Sequence, residues 1–143
     1  MTRYREAFTW THSIDDFVKD VVRETPLLNV CAGRSSWGAV TLDLHEPADV
    51  SGSWDDLPFD DDSFGAVFAD PPWDSGHKIE VSRYVREAMR VAPVAYLMAP
   101  WLYCASWVTI TRVWYREFPG IHTPILLARY ERPDQRSLFP AAR

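Results

Sequence analysis

The sequence has little cysteine, little glycine and no long apolar run, and each scarcity removes a class of protein. Two cysteines occur in 143 residues. Cys31 and Cys104 fall in apolar, strand-like runs rather than in paired loop positions, which argues against a disulfide scaffold. Four histidines are scattered without metal-ligand spacing, so no metal site is expected. The longest apolar stretch, residues 91–101, is broken by Pro93 and Pro100 and falls short of the roughly 20 residues that a membrane helix needs. The N-terminus lacks the continuous apolar segment of about 7 to 15 residues that a signal peptide requires, which predicts a cytoplasmic protein with no membrane association. With only six glycines there is no G-x-G-x-x-G fingerprint, which disfavours a dinucleotide-dependent redox enzyme. Basic residues are also outnumbered, 15 against 20 acidic, for a net charge of -5. A protein that binds mainly by coating a nucleic-acid backbone would carry the opposite balance.

What remains is an ordinary globular composition, 47% hydrophobic and 24% charged, at a length that fits one domain. Residues 1–132 are read as that domain and 133–143 as an irregular tail. The charge is unevenly placed. Ten carboxylates lie between residues 42 and 74, whereas Lys78 and most of the arginines follow them, so the second half can present a positive face.

Hydrophobic spacing gives the element order. Residues 13–24 place Ile14, Phe17, Val18, Val21 and Val22 on one side of a helix, with Ser13 as N-cap and Pro26 as its stop. Residues 27–33 form a buried strand that opens into a glycine turn, and 39–44 form a second strand ending in a carboxylate. The apolar segment 63–69 runs directly into Asp70-Pro71-Pro72-Trp73. A second helix, 80–91, carries Val81, Tyr84, Val85, Ala88, Met89 and Val91 on one face. Strands over 94–101, 109–118 and 123–131 follow, the last two as an antiparallel hairpin around Pro119-Gly120. Alternating strands and helices predict an α/β fold, mostly parallel with an antiparallel C-terminal end.

Ligands of such sheets bind at the carboxyl ends of the strands. Here those ends supply Cys31-Ala32-Gly33, where glycine permits close backbone approach, then Asp43, placed to accept from a ribose hydroxyl pair, then Asp70. The tetrapeptide is the most informative of the three. An exocyclic amino group on adenine or cytosine is a poor nucleophile because its lone pair is delocalised into the ring. A carboxylate at Asp70 and the Pro71 carbonyl can each accept one N–H and stabilise the positive charge that develops during methyl transfer. Pro71 and Pro72 restrict the loop, and Trp73 offers a flat face for a flipped base. The bland reading of the tetrapeptide is a proline turn with a buried tryptophan. A non-catalytic Rossmann-like binding module would keep the sheet and the glycine turn but would not need this acid and these prolines. Cys31 as a nucleophile lacks a partner histidine, and a small buried hydrophobe is the alternative. His77 can contact substrate or lie on the surface.

These residues resemble the S-adenosylmethionine-dependent amino-methyltransferases, which carry a (D/N/S)-PP-(Y/F/W) tetrapeptide. The resemblance spans about residues 8–131. It implies a minimal class I methyltransferase sheet of order 3-2-1-4-5-7-6 with strand 7 antiparallel, and S-adenosylmethionine as cofactor. It also implies Asp70, Pro71, Pro72 and Trp73 as catalytic residues and Cys31, Ala32, Gly33 and Asp43 as cofactor-binding ones. Asp56 and Leu57, in a DLPF segment, are similar to the stretch that flanks the adenine ring. The chain departs from the pattern in having a single glycine in the cofactor loop. Only nine residues separate Gly33 from Asp43, so the helix between the first two strands must be shortened or missing. No insertion is long enough for a target-recognition domain. The resemblance implies transfer to a nucleobase amino nitrogen: adenine N6 in DNA first, cytosine N4 second, RNA or a protein amide third. In the tail, Gln135, Leu138 and Phe139 resemble the short peptide that docks in bacterial sliding clamps, although Arg136 stands where that peptide is normally apolar. The competing expectation is that Leu138 and Phe139 fold back on the protein's own sheet.

Overall fold

The computed structural model describes residues 14–33, 35–71, 81–116 and 125–133. Helix α1 (Ile14–Val21) leads into strands β1 (Leu27–Val30), β2 (Val40–Asp43), β3 (Val50–Ser51) and β4 (Ala66–Ala69). Helix α2 (Val81–Val91) then precedes β5 (Val94–Ala99), β6 (Thr109–Arg116) and β7 (Ile125–Glu131). The seven strands form one sheet of order β3-β2-β1-β4-β5-β7-β6. The pairs β1–β2, β1–β4, β2–β3 and β4–β5 are parallel, and β7 runs antiparallel to both β5 and β6. This is the order and polarity expected from the sequence.

The uninterrupted apolar runs of β1, β4 and β5 follow from burial on both faces. Alternate residues go to opposite sides. Leu28, Val30, Val67, Ala69, Ala95 and Leu97 pack under α2, which turns Val81, Tyr84, Val85, Ala88, Met89 and Val91 inward. Leu27, Ala66, Phe68, Val94, Tyr96 and Met98 pack with Phe17, Val18 and Val22 on the other face. Each of the buried Val, Leu, Phe and Met side chains among them contributes about 1.5–3 kcal/mol relative to exposure. Glu24 reaches across to the far end of the sheet, where it accepts from Tyr96 Oη at 2.6 Å and from Arg129 Nη2 at 2.8 Å. That pairing ties the segment after α1 to the C-terminal hairpin.

Among the described residues, 31–39 contain no helix, so the first crossover is a loop. Trp37 fills the place a helix would cover, with its ring centroid 5.0 Å from that of Phe68. Its carbonyl accepts from the buried Asn29 amide at 3.2 Å.

Several boundaries differ from the sequence expectation, each for a local reason. Helix α1 ends at Val21 rather than near Glu24, whose carboxylate is occupied as above. Strand β1 stops at Val30 because Cys31 adopts φ 53°. Residues 63–65 do not join β4: Phe64 N–H donates to Val91 and Gly65 N–H to Pro26. A Cβ on Gly65 would lie 2.4 Å from the Thr25 carbonyl oxygen, so that contact excludes any side chain. Strand β5 ends at Ala99, before Pro100, which has no N–H for the ladder. The partial alternation of β6 reflects a register shift between Ile110 and Arg112. Strand β3, with two residues, lies inside the acidic link that the sequence left unassigned. Ser13, the Pro119-Gly120 turn and the tail residues Gln135, Leu138 and Phe139 lie outside the described residues. No described helix is long and apolar enough to cross a membrane.

Candidate active site

Because β1, β2, β4 and β5 are parallel, their carboxyl ends meet at one edge of the sheet. Register then decides which residues are neighbours. Val30 stands opposite Leu42 on one side and Ala69 on the other. One residue further along all three strands brings Cys31 level with Asp43 and Asp70. The electrostatics agree with this placement. Burial, then the Asp43 and Asp70 carboxylates, push the Cys31 thiol up to about 12.

The turn after β1 is built from two left-handed residues, Cys31 at φ 53° and Gly33 at φ 57°. Ala32 N–H donates to Leu42 at 3.1 Å and Ser35 N–H to Ala32 at 2.9 Å, so the loop is hydrogen-bonded at both ends. Cys31 therefore holds a backbone conformation that glycine adopts freely and an L-residue rarely does. The single glycine of the sequence hides a two-position glycine-like turn. A Cβ on Gly33 would meet nothing within 4 Å, so the space beside its backbone is open.

Asp43, half-buried, fastens this turn. Its Oδ2 accepts the Gly33 N–H at 2.8 Å, while Oδ1 accepts His45 N–H at 2.9 Å and Glu46 N–H at 2.8 Å. Burial alone would raise its pKa, but the N–H groups of Glu46, His45 and Gly33 reverse that and hold it below the usual carboxylate range. A carboxylate has about four lone-pair positions. Among the described residues three are filled, all by main-chain N–H groups.

Asp70 is exposed at the end of β4 and Pro71 is buried behind it. Pro72, Trp73 and His77 lie outside the described residues. Asp56 is exposed, whereas Leu57 is buried, and both main-chain polar groups of Leu57 are taken. Its N–H donates to Glu87 Oε1 at 2.9 Å and its carbonyl accepts from Arg90 Nη2 at 2.8 Å. The main-chain groups of Leu57 are thus engaged, and Asp56 is the member of that pair whose side chain is exposed.

Two features escaped the sequence reading. Trp101 and Leu102, 45% and 40% exposed, follow β5 at the same carboxyl edge. Trp101 reads as the end of a buried strand and Leu102 falls just past it, with only Pro100 to signal the break. The Glu87–Arg90 pair reads as solvated helix charge, and nothing in its spacing points to the loop it holds.

The thiols give a direct check on this geometry. Thiolate is the reactive form, Cys31 is half-buried with its thiol pushed up to about 12, and Cys104 is exposed. Iodoacetamide at pH 8 is expected to label one thiol per folded chain, at Cys104, and the second only after unfolding, as read by intact and peptide mass. Two labels on folded protein would contradict the burial of Cys31.

No protein-family model and no curated protein matches the sequence. Solved structures do match. A candidate RNA methyltransferase from Pyrococcus horikoshii superposes with a TM-score of 0.56 at 11% identity, covering 82% of this chain and 79% of that one. A protein solved in work on the conversion of a disulfide bond into a thioacetal group during echinomycin biosynthesis superposes with a TM-score of 0.55 at 14% identity, covering 87% and 83%. At these identities the likeness is one of architecture, and with the strand order it establishes the fold: a minimal Rossmann-like α/β sheet, mostly parallel with antiparallel C-terminal strands, with no helix described in its first crossover.

Proposed function

We propose that the protein transfers a methyl group from S-adenosylmethionine to an exocyclic amino nitrogen of a nucleobase, with adenine N6 in DNA as the first substrate. The observation that carries this reading is the register, which pairs Val30 with Leu42 and Ala69, so that the next residues, Cys31, Asp43 and Asp70, come to one edge, where both carboxylates act on the Cys31 thiol. A glycine-like turn, a ribose-class acceptor and an exposed carboxylate thereby share one edge of a methyltransferase-type sheet.

The residues present fit the cofactor. Among the described residues the space at Gly33 is open to a ligand against the backbone, and Asp43, held beside it by the Gly33 N–H, sets a carboxylate there for a ribose hydroxyl. S-Adenosylmethionine supplies an electrophilic methyl group on a sulfonium. Asp70 and the Pro71 carbonyl accept the two amino hydrogens of the target, so its nitrogen lone pair is turned out of the ring. As the N–C bond forms and the C–S bond breaks, positive charge grows on nitrogen. Asp70 stabilises that charge and receives the proton, which then passes to water. The mixed charge of the chain and the lack of a recognition insertion favour contact with a few nucleotides over backbone coating.

Incubation with radiolabelled S-adenosylmethionine and DNA, RNA or protein, followed by nucleoside mass spectrometry, tests the reading. Label recovered as N6-methyladenine in DNA is the expected result. Label in cytosine, RNA or protein would move the substrate, and cofactor binding with no acceptor of any kind would favour the binding-module reading.

A further inference from the structure

Strands β5 and β6 both run antiparallel to β7 and so point the same way. A connection between such strands usually carries a helix that covers one face of the sheet. Here residues 100–108 contain no helix. They cross the α2 side as a loop, where Tyr103 and Trp107 pack on the core and the Tyr103 carbonyl accepts from Tyr130 Oη at 2.9 Å. That cover stops short of the carboxyl end of β6. Val113 is level with Ala128, which packs in the core under α2, and Tyr115 is level with Leu126 two residues away. Both therefore stand on the α2 side of the sheet, yet they are 40% and 47% exposed.

Register joins this bare surface to Asp70. Ala69 pairs with Leu97, Ala99 with Leu126, and Leu126 with Tyr115. Tyr115 is thus level with the residues just past β4 and three strand spacings from them, about 14 Å at about 4.8 Å each. A stacked nucleic-acid strand rises about 3.4 Å per nucleotide, so about four nucleotides cover that distance. The exposed Trp101 and Leu102 follow β5 and stand along the way. Charge points to the same occupant. Residues 92–116 contain no Asp or Glu in a chain of net charge -5, so nothing in this segment repels an anionic backbone. Arg112, exposed on the opposite side of the edge strand, lies over the Trp114 ring at 4.8 Å and has no carboxylate partner among the described residues. Aromatic faces beside such an arginine suit unpaired bases, whereas a duplex hides its base faces in the stack.

We propose that Trp101, Leu102, Val113 and Tyr115 form a track for a single nucleic-acid strand, on which the nucleotides flanking the target base stack between Asp70 and the β6 edge. Arg112 meets a phosphate at the rim. The inference rests on the nucleobase reading above and names the unpaired strand, not the duplex, as the form of substrate that binds.

Fluorescence anisotropy on the full chain, with a labelled DNA strand of about eight nucleotides containing one adenine and with the same strand in duplex, tests this. Wild type is expected to bind the single strand at least about fivefold more tightly than the duplex. Trp101→Ala and Tyr115→Ala should each lose at least about fivefold in affinity for it, as for one lost stack, while Tyr115→Phe, which keeps the ring, stays within about twofold of wild type. Arg112→Gln should reduce the slope of log affinity against log salt by about 0.7. In methyl transfer the losses at Trp101 and Tyr115 fall on KM and leave kcat within about threefold, because these side chains do not touch the reacting nitrogen. A strand with 5-iododeoxyuridine beside the adenine should photocrosslink to wild type within residues 101–115, a result that needs no variant. Unchanged affinity in folded Trp101→Ala and Tyr115→Ala overturns the inference alone, as do crosslinks that fall elsewhere or a preference for duplex. A wild-type dimer in sedimentation that Val113→Glu converts to monomer, with oligonucleotide affinity unchanged, would make the surface a contact between copies and overturn it likewise. Failure of wild type to bind or methylate any oligonucleotide overturns the nucleobase reading as well.

Discussion

Asp70→Ala is expected to lower methyl transfer by at least about 10³-fold while leaving S-adenosylmethionine affinity within about twofold. The magnitude follows from removing one preorganised electrostatic partner of the reacting group, which in other enzymes costs about 10²–10³-fold by itself. In the proposed mechanism the same group also serves as proton acceptor, a role worth about 10²–10⁴-fold. Asp70 lies exposed at the end of β4, past the buried run Ala66–Ala69, so its removal takes no apolar contact from the core. Its interaction with the target strengthens as charge develops on nitrogen, so the loss should fall on kcat rather than on ground-state binding. Asp70→Asn, which keeps an acceptor oxygen but neither charge nor basicity, should fall between the two. Single-turnover transfer with saturating cofactor, beside calorimetric affinity, separates the terms. Full activity in Asp70→Ala would remove the proposed chemistry.

The legibility of this fold in its sequence depended on burial. Strands β1, β4 and β5 are covered on both faces, so their apolar runs stood out. Helix α2 is covered on one face, and all six of its buried residues matched the periodic pattern. Strand β3 has two residues, too few for any period to show. The ends of β1 and β5 were read too long, because Cys31 and Trp101 are apolar and only φ or a proline reveals the stop. At the site, the convergence of Cys31, Asp43 and Asp70 was legible once a parallel sheet was inferred, since topology alone brings strand ends together. The hydrogen bonds were not. That Asp43 fastens Gly33, and that Leu57 spends both main-chain groups on α2, follow from backbone paths through irregular loops for which side-chain spacing carries no signal.

Asp43→Ala is expected to weaken S-adenosylmethionine binding by about 1–3 kcal/mol, the usual value of a hydrogen bond to a charged group, and to lower folding stability as well. Both effects have one structural origin. The carboxylate holds the Gly33 N–H from one oxygen and the His45 and Glu46 N–H groups from the other, joining the ends of β1 and β2 where no helix braces them. Alanine frees three donors and releases the turn that shapes the proposed cofactor edge. Asp43→Asn should retain part of the stability, since its amide oxygen still accepts, while an amide nitrogen turned toward N–H groups would oppose them. The pH dependence has a definite sign. The folded-state pKa of Asp43 is depressed, so its contribution is fully present above the unfolded value of about 3.9 and is lost as pH falls through the lower, folded value. The gap in urea midpoint between wild type and Asp43→Ala should therefore stay constant from about pH 8 to pH 5 and close below about pH 4. A gap that widened toward acid pH would mean that the protonated carboxyl, not the carboxylate, holds the turn.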